Sequence, residues 1–426
     1  MLNDSDPIYL QPEFTGGNDA ELLKGGDALF PAMARAIRRA TDEVWLATYI
    51  FHHDAAGEAM VVVLHAAARR GVRVRVVVDG FGSKASLGWL TAAFEGTGVA
   101  LAVFRPIDRW WRWLQPGQLR RLHQKLCIVD NEHGFVGGIN IIDDRIDLNR
   151  GPIEQPRLDY AVHLRGSVVL PMAQAARAVW TRAWLGRDFG EELLALVRSR
   201  QPLSHLRSLM KRVRMPRGQR MHSGGDGGAA QELPPVRAAF FMRDNLRQRR
   251  TIERAYIEAI RAARLQVDLV SPYFYPGQGF RRALKDAARR GVRVRLLLQG
   301  KLDYRIAGMA AQALYAELLG HGVQVFEYMP AYLHAKVGVV DGQWATVGSS
   351  NIDPLSLLLN LEANVVVRDA AFAAAVTLQF EAALTDARRV DLQQLGGGSL
   401  RSMARRALVA WVAYVYLRVA GATGRY

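Results

Sequence analysis

The sequence predicts an α/β fold made of two related lobes about a pseudo-twofold axis. Three observations predict it. The 426-residue chain repeats itself, helical and extended patterns alternate within each copy, and a basic stretch rich in Gly and Pro separates the copies. The clearest repeat is "AARRGVRVRVVVDG" from Ala67 against "AARRGVRVRLLLQG" from Ala287, a shift of 220 residues. Upstream, "RAIRRATDEVWLATYIF" ending at Phe51 aligns with "EAIRAARLQVDLVSPYF" ending at Phe274; downstream, "LDYAVHLRG" from Leu158 aligns with "LEANVVVRD" from Leu361.

Each copy opens with a helix ending near Arg39 or Ala262, followed by an apolar strand at Val44 to Phe51 or Val267 to Phe274. A second helix runs to Arg70 or Arg290, where the following Gly stops it. The segments "VRVRVVVDG" and "VRVRLLLQG" are rich in β-branched and aliphatic residues and end in Gly, which marks a strand with one face half polar. Such alternation implies a mixed, partly parallel sheet with helices layered on it. The division expected is a first lobe over 1–200, a linker over 201–235, a second lobe over 236–395 and a basic, apolar tail over 396–426.

Composition narrows the function classes. Lys and Arg number 56 against 40 Asp and Glu, a formal charge of +16, which favours a polyanionic partner such as nucleic acid or an anionic bilayer. The single Cys127 excludes an internal disulfide framework and reads as a packed thiol in a reducing compartment. The opening "MLNDSDPIYLQPEF" has neither a basic start nor an apolar run, so no secretory leader is expected. No apolar segment reaches the roughly 18 to 20 residues needed to span a bilayer.

The chemistry sits in a second repeat, "HQKLCIVDNEHGFVGGIN" from His123 and "HAKVGVVDGQWATVGSSN" from His334. In each, Lys follows His by 2 residues, Asp by 7, Gly by 14 and Asn by 17, while the apolar filler varies. Polar spacing is kept where packing is free to drift. The period of a strand places His123 beside Lys125 and His334 beside Lys336 on one face, and packing two lobes about a twofold axis brings both pairs to one pocket.

Two imidazoles and two ammoniums suit phosphodiester transfer. The lysines neutralise phosphate oxygens. One neutral His attacks phosphorus while the other, protonated, donates to the leaving oxygen, and neither step calls for a metal or an organic cofactor. After each strand, "GGIN" and "GSSN" let backbone N–H groups and amides approach phosphate, which nominates Asn140, Ser349 and Asn351 as phosphate binders. Asp159 and Glu362, at matching places in the aligned strands, are the candidate carboxylates that orient the histidines. Asp130 and Asp341 complete the repeated catalytic set, although a carboxylate at a strand end most often holds a turn. His52 and His53 have no further ligand-type residue at metal spacing and read as a surface pair.

With H-x-K-x4-D followed by GG/GS-x-N in two copies, the chain resembles the phospholipase D superfamily from Ala36 to about Leu384. Within it, "GSSNIDPLSLLLNLEANVVV" is most similar to the bacterial cardiolipin synthases that lack N-terminal membrane spans. The resemblance implies two α/β sandwich lobes sharing one active site and a phosphatidyl-histidine intermediate. It also implies union of two phosphatidylglycerol molecules into cardiolipin with release of glycerol. Carried onto this chain are His123, Lys125, Asn140, His334, Lys336 and Asn351, with His123 the expected nucleophile and His334 the general acid and base. A hydrolase or nuclease of the same superfamily, and a non-catalytic anionic-lipid-binding protein, are the alternatives.

Two segments bear on where such an enzyme works. "RPIDRWWRWLQPGQLRRLH" places Trp110, Trp111 and Trp113 among arginines in an insertion of about nine residues relative to the second copy. The tail has 11 uninterrupted apolar residues, Ala407 to Leu417, flanked by Arg405, Arg406 and Arg418. Arginine with tryptophan favours an anionic interface. These point to a peripheral protein on the cytoplasmic side of the inner membrane, with anionic phospholipid as partner and nucleic acid disfavoured.

Overall fold

A computed structural model describes residues 12–106, 120–148, 151–198, 236–243, 250–301, 314–353 and 360–391, the side chains of 185–198 excepted. The Trp-rich insertion from 107, the linker 201–235 and the tail from 396 lie outside these residues.

The first half runs β1 (Thr15–Lys24), α1 (Gly25–Arg39), β2 (Glu43–Thr48), α2 (Ala55–Arg69), β3 (Arg73–Asp79), α3 (Leu87–Phe94), β4 (Ala100–Phe104), β5 (Lys125–Val129) and β6 (His133–Gly137). The short pair β7 (Ile146–Asp147) and β8 (Gly151–Pro152) precedes β9 (Tyr160–Arg165) and α4 (Val169–Arg198). The second half repeats the order as β10 (Val236–Arg243), α5 (Thr251–Ala262), β11 (Gln266–Ser271), α6 (Gln278–Arg289), β12 (Arg293–Gln299), β13 (Gln324–Tyr328), β14 (Val337–Val340), β15 (Trp344–Gly348), β16 (Glu362–Arg368) and α7 (Ala370–Thr385). A last strand, β17 (Ala387–Arg389), follows.

Strand order makes the duplication geometric. One sheet of 15 strands reads β17-β13-β12-β11-β14-β15-β16-β10-β1-β9-β6-β5-β2-β3-β4, so each half has the same sequence of neighbours counted from the centre. Within each half three strands are parallel and the rest antiparallel. The halves meet where β1 and β10 pair antiparallel, with Thr15 opposite Ala238 and Asn18 opposite Val236. Asn18, fully buried, ties this joint: its Nδ2 donates to Val236 O at 3.1 Å and its Oδ1 accepts from Val168 N at 2.9 Å.

The helices follow from apolar spacing and caps. Leu29, Met33, Ala36 and Ile37 form the buried stripe of α1, and Asp54 caps α2 through Gly57 N at 2.9 Å. A Cβ on Gly57 would lie 1.9 Å from His52 O, so only glycine lets the helix start this close to the strand end. Separate cores lie beneath α1 and α2 and beneath α5 and α6. A third runs under α4 and α7 and takes residues from both halves, including Leu126, Val162, Val337 and Val365. That shared core fixes the two halves against each other. Cys127 is buried, and burial pushes its thiol up to about 12, the packed thiol expected.

Candidate active site

The histidines stand where the halves cross-link. Leu122 bridges Leu361 of the other half, and Leu158 bridges Leu333. Through these bridges His123 N donates to Leu361 O at 3.0 Å, and His334 N donates to Leu158 O at 2.9 Å. The side chains follow the backbone. His123 Nδ1 lies 3.0 Å from Glu362 Oε2 of the second half, and His334 Nδ1 lies 2.7 Å from Asp159 Oδ2 of the first. Each imidazole thus takes its carboxylate from the opposite half, with Nε2 left for chemistry. The rings are 6.5 Å apart, centroid to centroid, and inclined by 66°.

Lys125 begins β5 and Lys336 immediately precedes β14, and each ammonium turns back onto the carbonyl of its own histidine. The Lys125 ammonium also lies 5.5 Å from the centre of the Tyr49 ring, which packs against the His123 ring with centroids 5.2 Å apart and planes inclined by 60°. One pocket therefore holds both histidines, both lysines and both orienting carboxylates.

The two carboxylates are seated differently. Asp159 Oδ1 accepts from Tyr160 N at 2.8 Å, and Gly138 stands so close that a Cβ there would lie 2.2 Å from that oxygen. In the second half Ser349 occupies the matching position, and its Oγ donates to Glu362 Oε2 at 2.5 Å. The difference between "GGIN" and "GSSN" is thus a difference in how each carboxylate is held. This corrects one expectation: Ser349 is fully buried, with its hydroxyl committed to Glu362 and accepting from Ala363 N at 3.0 Å, so it positions a carboxylate rather than a phosphate.

A family profile described as "Cardiolipin synthase, PLD-like domain" matches residues 33–151 and 256–384. The chain belongs to that family. It is 36% identical over 366 residues to cardiolipin synthase B of Escherichia coli K12, covering 84% of this chain and 78% of that one. It is 30% identical over 388 residues to cardiolipin synthase A of Pseudomonas entomophila L48, covering 89% and 73%. In fold it is similar to the crystal structure of a phosphatidylserine synthase from Haemophilus influenzae Rd KW20, with a TM-score of 0.62 over 97% of this chain and 96% of that one at 12% identity.

In this member of the cardiolipin synthase family, burial and charge set the protonation of the site. Burial lowers both lysines, Lys125 to about 7 and Lys336 to about 8, with the Lys336 ammonium also lowering Lys125 and the Arg157 guanidinium also lowering Lys336. Burial likewise lowers His123, and lowers His334 further with the help of Lys336, Lys125 and Arg157. The carboxylates diverge. Burial raises Asp159 to about 7, whereas for Glu362 the same burial is outweighed by His123, Lys125 and the Ser349 hydroxyl, which hold it below the usual carboxylate range. Burial thus favours the protonated form of Asp159, while His123, Lys125 and the Ser349 hydroxyl favour the ionised form of Glu362.

Asp130 and Asp341 are the second correction. Asp130 accepts from the backbone N–H groups of Thr41, Asp42 and Glu43 at 2.8, 2.9 and 2.8 Å, and Asp341 from Arg264, Leu265 and Gln266 at 2.8 Å each. Both sit at positive φ, 53° and 51°. They tie the helix-to-strand turns at the far ends of β5 and β14, roughly 16 Å of strand from the lysines. They hold the scaffold and touch no reacting group.

Asn140 and Asn351 do lie with the site strands. Asn140 Oδ1 accepts from Ile50 N at 3.2 Å, which turns its amide nitrogen away from that bond. Asn351 Oδ1 is buried without a partner among the described residues. Sequence reading missed Asp79 and Gln299. Asp79 Oδ2 accepts from Leu122 N at 2.9 Å and Gln299 Oε1 from Leu333 N at 2.6 Å, so each fixes the residue before a histidine. Their signal was the last polar position of the "VRVRVVVDG" and "VRVRLLLQG" repeat. His52 and His53 face Asp54 and Glu58, both at 3.2 Å, and among the described residues no cluster of three or more His, Cys, Asp or Glu is placed to hold a metal.

Proposed function

We propose that this chain transfers a phosphatidyl group from one phosphatidylglycerol molecule to another, giving cardiolipin and glycerol through a phosphatidyl-histidine. The observation that carries the reading is the pair of crossed histidine–carboxylate dyads in one pocket with two lysines, in a chain of the cardiolipin synthase family. Two imidazoles 6.5 Å apart can address one phosphorus from opposite sides.

His123 is the nucleophile and His334 the acid. Ionised Glu362 holds His123 in the tautomer with Nδ1–H bonded, leaving the Nε2 lone pair to attack phosphorus. The bond to the leaving glycerol oxygen breaks as that oxygen takes a proton from His334 Nε2, on the side where burial favours the protonated form of Asp159. Lys125, Lys336, Asn140 and Asn351 bind the phosphate oxygens, and the arriving anion raises the lysines and histidines that burial had depressed. In the second half-reaction the acceptor hydroxyl gives its proton back to His334 and displaces His123.

The protein works as a peripheral one on the cytoplasmic side of the inner membrane, drawing both substrates from the bilayer. No described helix is long and apolar enough to cross a membrane. The net charge of +16 supports binding to anionic lipid, and the Trp-Arg insertion and the apolar tail are its contacts with the surface. The deciding experiment incubates purified protein with phosphatidylglycerol vesicles and resolves the lipid products, beside a single-stranded DNA degradation assay. Cardiolipin with stoichiometric glycerol is expected. Dominant phosphatidic acid would make the protein a hydrolase, and DNA cleavage without lipid turnover a nuclease.

A further inference from the structure

Cardiolipin formation places a second anion beside the reacting phosphate, because the acceptor is itself a phosphodiester whose phosphate lies three carbons from the attacking hydroxyl. Lys125 and Lys336 are occupied by the phosphate under attack. The acceptor phosphate needs a cation of its own, on the side where the hydroxyl enters. Under the reading above that is the side of His334, since the acceptor hydroxyl replaces the departed glycerol.

The described structure has one cation fixed there. Arg157 immediately precedes Leu158, whose N–H bonds Tyr332 O at 2.9 Å and whose carbonyl accepts from His334 N and Ala335 N at 2.9 and 3.0 Å. Two residues on, Asp159 holds the His334 imidazole. Arg157 N in turn donates to Asp144 O at 2.9 Å, so its backbone is pinned from both directions. The guanidinium is close enough to depress both His334 and Lys336. Its Nη2 donates to Ile146 O at 3.1 Å and lies 3.9 Å from a carboxylate oxygen of Asp147, with no closer ion pair among the described residues. The side chain is 15% exposed, enough to meet a ligand.

The matching position of the other half is not basic. The second half carries Asn360 at the position matching Arg157, and nearby Arg243 is fully buried with its Nη1 on Asn360 O. Arg121, close to His123 in sequence, lies 3.6 Å from Asp79 and against the Phe81 ring. On the His334 side a partly exposed cation therefore flanks the histidine through its orienting carboxylate strand, at a position where the other half carries an amide.

We propose that Arg157 binds the phosphate of the acceptor lipid and so sets the preference for an anionic glycerophosphoryl acceptor over water or a neutral alcohol. This rests on the transferase reading and on His123 as nucleophile. In the step concerned, the acceptor's primary hydroxyl oxygen forms the new P–O bond. The P–Nε2 bond to His123 breaks with its electron pair returning to Nε2, and the hydroxyl proton passes to His334 Nε2. A guanidinium on the acceptor phosphate holds that hydroxyl in line by two parallel N–H···O contacts.

The test offers the full-length enzyme two soluble acceptors together, glycerophosphoglycerol and 1-propanol, with dioctanoyl phosphatidylglycerol as donor, and reads the ratio of products. Arg157→Gln should lower the ratio of anionic to neutral transfer by about tenfold or more, the scale of one charge-assisted hydrogen bond, with phosphatidic acid rising. Arg157→Lys should restore much of the ratio. An unchanged ratio in Arg157→Gln, or an equal fall in both products that Lys does not rescue, would overturn the assignment. Wild-type enzyme that yields only phosphatidic acid with either acceptor would remove the transferase reading, and this inference with it.

Discussion

His123 of the first half is oriented by Glu362 of the second, at 3.0 Å from Nδ1 to Oε2, although 239 residues separate them. His334 is held by Asp159 in the reverse sense. The crossing means that no half of the molecule contains a complete dyad, and that the shared core under α4 and α7 sets catalytic geometry as well as stability.

Removing either histidine separates their roles. His123→Ala and His334→Ala should each lower turnover of phosphatidylglycerol by at least roughly 10³-fold, within the range of lost nucleophilic and general-acid catalysis. With a p-nitrophenyl leaving group, which departs unprotonated, His334→Ala should still form phosphatidyl-enzyme while His123→Ala should not. Acid-quench labelling of both variants checks this; label retained by His123→Ala alone would reverse the assignment.

Seating of the carboxylates can be tested at Ser349. Ser349→Ala removes the hydroxyl that stabilises ionised Glu362, so Glu362 titrates higher and the acid limb of kcat/KM moves to higher pH. The buried oxygen left short of a donor costs about 1–3 kcal/mol of stability. In the other half, Gly138→Ala should be more damaging, because its methyl would overlap Asp159. Thermal melts and pH–rate profiles of the two variants distinguish lost positioning from lost phosphate binding, which would raise KM without moving the acid limb.

Much of this site was legible because phosphate chemistry needs particular side chains at particular spacings. His, Lys and Asn recur at fixed offsets in both copies whatever fills the core between them. The crossing was not legible. It depends on β1 and β10, whose sequences "TGGNDAELLK" and "VRAAFFMR" share no pattern, and on bridges between residues such as Leu158 and Leu333 that any aliphatic pair could make. Asp79 and Gln299 escaped for a related reason: their common task is to accept one backbone N–H, which a carboxylate and an amide do equally well. Ser349 misled because a hydroxyl beside a phosphate motif and a hydroxyl beside a buried carboxylate look alike in sequence.

Asp130→Ala and Asp341→Ala should destabilise more than they slow. Each leaves three backbone donors of a helix-to-strand turn without their acceptor. A loss of about 1–3 kcal/mol per variant, read from denaturant melts, should accompany a smaller fall in kcat of the folded fraction. Loss of turnover at full stability would return these aspartates to the chemistry.

Chelation should leave activity in place, because Lys125 and Lys336 supply the positive charge that a metal would otherwise bring to the phosphate. Turnover in excess EDTA, compared with untreated enzyme, checks this. Abolition by EDTA with recovery on adding a divalent ion would show that the lysines do not suffice.

The same lysines should make activity and stability move in opposite directions with pH. Burial lowers Lys125 to about 7 and Lys336 to about 8 in the folded protein, whereas an unfolded lysine titrates near 10.4. Between those limits the unfolded chain binds more protons than the folded one, so stability rises with pH from about 7 to about 10. Below the folded values both states are protonated and this contribution to the slope vanishes. Catalysis needs the ammonium form to meet the phosphate, so kcat/KM of the free enzyme should fall across the upper part of that window. Asp159 adds a contribution of opposite sign at lower pH: raised to about 7, it is protonated in the folded state and ionised in the unfolded one, so its contribution to stability declines from about pH 4 to pH 7. Melting temperature and kcat/KM measured together from pH 6 to 10 check the prediction, with Lys125→Met as the control that should flatten the alkaline rise in stability. A melting temperature that falls with kcat/KM in the wild type, with the same slope in Lys125→Met, would mean that the lysines are solvated and charged in the free enzyme.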